Sequence, residues 1–200
     1  MSTSSTPRRR PARLWPAALF LLCAAMPRAA AEGSERGRLR VSVPARAGTA
    51  VHRALLSAKR RLADAECRRV FSDFSAAALG RPLSRELELR GRTPEEQLDA
   101  VFFKDGSGKR ECGPPTILAF TRAGSDTVYV CASSFSRATA SDPTLAEMIL
   151  IHELLHTLGL GENPPSSREI TARVAERCGD FQTALAPTAS PCSGGHCPVF

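Results

Sequence analysis

The chain carries 27 basic and 20 acidic side chains in 200 residues, a formal net charge of +7, with seven cysteines. Five of the basic residues and none of the acidic ones precede Glu32, so the chain from there on holds 22 basic against 20 acidic groups, a charge of about +2. So small an excess calls for neither a nucleic acid nor an anionic membrane as partner.

The N-terminal segment explains where the charge lies. Arg8, Arg9, Arg10 and Arg13 form a basic head before an apolar run from Leu14 to Met26. That run has the length of a signal-peptide core and is too short to span a bilayer. Ala29-Ala30-Ala31 then supplies small residues for cleavage, so residues 1–31 read as a signal peptide and 32–200 as one exported domain. Sec and twin-arginine export both stay open, and no stable membrane anchor is expected after the signal is removed. The remaining 169 residues suffice for a single core. Six cysteines remain: Cys67, Cys112, Cys131, Cys178, Cys192 and Cys197. In an exported chain this even number reads as a disulfide set. Spacing favours only Cys192 with Cys197, across "CSGGHC".

Along the domain, "RLRVSV" at 38–43 alternates and predicts a strand. A helical segment follows from about Thr49 to Phe74, with Ala54, Leu55, Ala58 and Leu62 at core spacing and a break near Cys67. "GRPLSRELELRGRTPEEQLDAVFF" predicts a short extended piece and then a helix capped by Thr93 ahead of Pro94. "KDGSGKRECGPP" reads as a loop, and "TILAFT" with "TVYVC" as a β-hairpin turning near Gly124. The next helix starts near Asp142, before Pro143, and runs apolar around most of its circumference to Leu160, which marks it as buried. After "GENPP", "SREITARVAERC" predicts a further helix from Ser166. The tail from about Ala186 is rich in Pro, Ser and Gly and reads as irregular. The fold class expected is α+β, a twisted sheet or hairpin packed on the buried helix and on the helix that follows it.

Inside that buried helix stands "HELLH". His152 and His156 lie four residues apart and project from one face. Two imidazoles so placed can bind one zinc at about 2.0–2.1 Å each. Glu153, about 100° around the helix, points beside the metal, where a carboxylate can act as general base on water. A chance match is the competing explanation: with 4 His and 13 Glu, a shuffled chain shows HExxH about once in two hundred trials. Burying three unpaired polar side chains costs several kcal/mol, and a metal satisfies all three together.

Around "HELLHTLGLGE" the sequence resembles the zincin metallopeptidases, over about 20 to 30 residues. The resemblance implies a twisted sheet over helices, the HExxH helix along the floor of a cleft, and an edge strand pairing with an extended peptide. "TVYVCASSF" is the candidate for that strand. For the third protein ligand the resemblance offers two patterns. In the metzincin-like one, Gly159 ends the helix and Glu162 takes the ligand position, although the methionine turn of that subgroup is absent. In the gluzincin-like one, Glu169, in the first turn of the next helix, reaches back to the metal. Ser166-x-x-Glu169 also reads as a capping box. Glu169 is slightly preferred, because a capped helix holds a carboxylate more rigidly than a loop does.

His196 is a further candidate donor from the tail, and Tyr129 a candidate polariser of a substrate carbonyl, with packing as its simpler role. His52 is assigned nothing. The expected function is an exported, Zn2+-dependent peptidase acting on a peptide or protein substrate. The alternatives are a non-catalytic secreted domain with structural zinc and a peptide-binding pseudo-enzyme.

Overall fold

The computed structural model describes residues 39–179. The expected signal peptide, the tail from about Ala186, Cys192, His196 and Cys197 lie outside the described residues. The described fold is α+β: a four-stranded mixed sheet with helices, in the order β1(Arg40–Ser42), α1(Ala45–Leu62), α2(Ala65–Arg68), α3(Val70–Asp73), α4(Leu83–Leu89), α5(Pro94–Ala100), β2(Phe102–Asp105), β3(Ala119–Phe120), β4(Thr127–Val130), α6(Ala132–Ser141), α7(Pro143–Thr157) and α8(Ser167–Cys178).

In space the strands run β1-β2-β4-β3. β1 and β4 pair with β2 in parallel, and β3 closes one edge antiparallel to β4. The predicted first strand, the Thr93-capped helix and the hairpin are all present. Thr93 forms a full capping box with Glu96, and Gly124 adopts φ 78° in the hairpin turn, a region open to glycine at no steric cost.

Three expectations need correction, and a fourth, the helix break near Cys67, is present and sharpened. "VFF" does not continue the α5 helix: Val101 turns extended, and Phe102–Asp105 becomes an inner strand. Adjacent aromatics suit a pleated strand, where Phe103 faces the core and Phe102 the other side. "LSRELEL" is helical and not extended, because Leu83 and Leu87 lie one turn apart on the buried side. The long helix is interrupted at Ala63–Asp64, three residues before Cys67, where the Asp64 carboxylate caps α2. "TVYVCASSF" is not an edge strand. β4 is flanked on both sides by β2 and β3, and the chain becomes helix α6 directly after Cys131. The edge on that side is β3.

Helix α7 begins as expected, with the Asp142 side chain accepting from the Leu145 N–H at 3.0 Å. It packs against α1, α6, α8 and β3, which is why it is apolar around its circumference. Leu150, Ile151, Leu154 and Leu155 are wholly buried in this centre. Arg61 of α1 is buried beside them. It pairs with Glu147 of α7 at 2.7 Å and donates to the Cys178 carbonyl at 2.6 Å, closing the end of α8. Among the described residues two disulfides complete the frame: Cys67–Cys178 ties α2 to α8, and Cys112–Cys131 ties the loop before β3 to the end of β4. Disulfides fit an oxidising compartment. Among the described residues no helix is long and apolar enough to cross a membrane.

Candidate metal centre

His152, Glu153 and His156 sit on the last two turns of α7 and are 3%, 5% and 6% exposed. The helical spacing brings His152 Nε2 and His156 Nε2 to 3.0 Å. Glu162 reaches the same point from the turn after the helix, with Oε1 3.4 Å from His156 Nε2 and 3.8 Å from His152 Nε2. A tetrahedral ion with bonds of 2.0–2.1 Å separates its donor atoms by about 3.3 Å. The three atoms therefore lie at the mutual spacing of one metal's ligands. They form a group of His, His and Glu that could hold a metal ion, with the acid exposed to solvent.

The turn that delivers Glu162 is built by close approach. Gly159 takes φ 101°, which reverses the chain one residue after the helix cap at Leu158. Its carbonyl accepts from Ala77 N–H at 2.9 Å. A Cβ on Gly161 would stand 2.9 Å from that of Ala77, so only glycine lets the two segments meet. The same reversal brings the Leu160 carbonyl to His156 Nδ1 at 2.7 Å. A carbonyl only accepts, so Nδ1 carries the proton and Nε2 presents its lone pair to the site. On the other ring, His152 Nδ1 meets Thr171 Oγ1 at 2.9 Å. Burial, and after it the charge of His156, holds His152 down at about 3, so the ring is neutral at ordinary pH, the form a metal ligand requires.

Glu153 lies on a different side of the helix, in the floor of a cleft of about 540 Å3 that His156, Glu162, Leu160, Phe120 and Thr121 also line. Burial, and then the negative charge of Glu162, push its carboxyl up to about 8, while a backbone hydrogen bond from Thr121 pulls the other way. Among the described residues its Oε2 has no hydrogen-bond partner. A buried carboxylate oxygen without a partner is costly unless a ligand or substrate group meets it. A divalent cation at the Nε2 atoms would favour its ionised form.

The structure brings His152, His156 and Glu162 together and leaves Glu169 out. Glu169 Oε2 instead accepts from Ser166 N–H and Ser166 Oγ, each at 2.7 Å, and the Ser166 hydroxyl accepts from Glu169 N–H. These hydrogen bonds from Ser166 lower its pKa. On sequence Glu169 is the slightly preferred third donor; the rigidity that recommends it keeps its carboxylate in the capping box at the start of α8, away from the two Nε2 atoms. Tyr129 stacks on Phe120 with ring centroids 5.3 Å apart and has the Lys109 ammonium over its ring, which are packing contacts. His52 is exposed on α1. Two contributors had no sequence signal, Thr171 and the Leu160 carbonyl. Both are fixed by how the chain folds after Thr157.

Neither protein-family models nor curated proteins nor solved structures match the chain.

Proposed function

We propose that this chain is an exported, zinc-dependent hydrolase of zincin type, a peptidase. The observation that carries the reading is the convergence of two histidine Nε2 atoms and one glutamate oxygen within 3.0–3.8 Å, beside a buried glutamate with an unpartnered oxygen, in a cleft. Among the described residues the constellation has three donors. Catalytic zinc sites have three protein ligands and an open position, whereas structural ones are closed by four. Bound zinc would polarise a scissile carbonyl and lower the pKa of water to about 7.

The residues divide the remaining work. His152 and His156 bind through Nε2, held by Thr171 and the Leu160 carbonyl at their far nitrogens. Glu162 supplies the third donor and one negative charge. Glu153 accepts a proton from the attacking water and passes it to the leaving amine nitrogen, so one carboxylate serves as base and then as acid. Thr121 holds that carboxylate from the chain just beyond the edge strand β3. A peptide substrate is supported by β3 itself, which among the described residues pairs with β4 on one side only and lines the cleft through Ala119 and Phe120. An extended peptide can add to such an edge through its backbone.

Metal content measured on purified wild type, Glu162→Ala and Glu169→Ala, together with cleavage of a broad peptide library, tests this. Wild type should hold one zinc and cleave, Glu162→Ala should lose both, and Glu169→Ala should keep both. A wild-type protein that binds no zinc would remove the reading. Zinc bound without any cleavage would turn it into the non-catalytic one.

A further inference from the structure

We infer that Thr171 is a positioning residue for the metal site, its hydroxyl fixing the ring of His152 so that Nε2 faces the other two donors; this rests on the zinc reading above. His152 is buried, and the hydrogen-bond partner of its Nδ1 is Thr171 Oγ1 at 2.9 Å, nineteen residues further along the chain. Metal-bound imidazoles are oriented through the nitrogen that does not bind, and loss of that partner costs about 10- to 100-fold in affinity. His156 has such a partner in the Leu160 carbonyl, supplied by its own helix end. His152 has one only because α8 lies across it.

The placement of α8 is over-determined. Its first turn is closed by the Ser166–Glu169 capping box. Its last residue is bonded to Cys67 and accepts a hydrogen bond from buried Arg61. Ile170 and Val174 bury its inner side, and Thr171 sits beside Ile170, half-buried, facing the histidine. A hydroxyl also has a property that a carbonyl lacks: it can donate to a bare Nδ1 or accept from a protonated one. When Nε2 turns its lone pair to a cation, Nδ1 holds the proton and Thr171 accepts it. The hydroxyl does this without adding a third negative charge to a site that already has Glu153 and Glu162.

Zinc affinity of the full exported domain, measured by competition with a chromophoric chelator, tests the assignment on wild type, Thr171→Ser, Thr171→Ala and Thr171→Val, with nitrogen-15 spectra of the histidine rings in the zinc-loaded protein. Thr171→Val and Thr171→Ala should weaken zinc binding about 10- to 100-fold. Thr171→Ser should restore it, and the Nδ1-bound proton of His152 should exchange faster in both weakened variants. Equal affinity in wild type and Thr171→Ala overturns the inference, as does a Ser variant as weak as Ala, which would make the role one of packing. Should Thr171→Val fail to fold, the Ser and Ala pair decides alone. A wild type that binds zinc no better than a variant with both His152 and His156 changed to Ala overturns the zinc reading itself, a distinguishable result.

Discussion

Helix α7 and the turn that follows it supply the same site by different physics. In α7 the donors are placed by helical periodicity: residues four apart share a face, so His152 and His156 converge whatever surrounds them. In the turn from Leu158 to Ser166 nothing periodic operates. Glu162 arrives because Gly159 reverses the chain at φ 101° and Gly161 lets it pass within contact distance of Ala77. Only a backbone with no Cβ at Gly161 admits that approach. The lesson is that a candidate ligand on a helix is secured by its neighbours in sequence, and one on a turn by its neighbours in space. The burial of the two regions follows suit. His152 and His156 of α7 are almost inaccessible, while the Glu162 side chain is 42% exposed.

The contrast can be broken at several points, and the largest effect is expected on the helix side. Glu153→Gln should retain zinc and reduce peptide cleavage by about 10²- to 10⁴-fold, the usual contribution of a positioned acid or base. Metal content and single-turnover cleavage read the two separately, and undiminished cleavage would deny Glu153 its role. Next comes the support of α8. Replacing Cys67 and Cys178 with serine removes a link between positions 111 residues apart and should lower unfolding stability by about 2–5 kcal/mol in a urea titration. Zinc affinity should fall with it if Thr171 depends on that anchor.

The turn responds more weakly and more selectively. Gly159→Ala places a side chain at φ 101° and 3.2 Å from the Ala76 Cβ, a cost of about 1–3 kcal/mol. Thermal unfolding should show that loss, and zinc should bind less tightly, because Leu160 and Glu162 both lie downstream of the distortion. Glycine-like stability and affinity in this variant would mean that the turn does not set the site. The smallest effect separates the two glutamates. Glu169→Ala should cost about 1 kcal/mol through its half of the cap and leave zinc affinity unchanged. An affinity loss comparable to that of Glu162→Ala would reverse their roles.

What the sequence alone determined is what depends on short range. The HExxH spacing, the apolar circumference of α7, the caps at Asp142, Thr93 and Ser166, and the hairpin at Gly124 all follow from residues within a few positions of each other. What needed the tertiary structure is what depends on partners distant in the chain. "LSRELEL" and "VFF" hold both helical and extended patterns, and burial against the core decided between them. The edge of the sheet passed from "TVYV" to Ala119–Phe120 because pairing on both sides of β4 is a property of the sheet and not of the strand. Both glutamates were legible as candidate ligands, and Ser166-x-x-Glu169 as a cap. That the cap holds the Glu169 carboxylate, while the turn carries Glu162 to the histidines, was decided by glycine–alanine contacts more than eighty residues apart, which local preference cannot weigh.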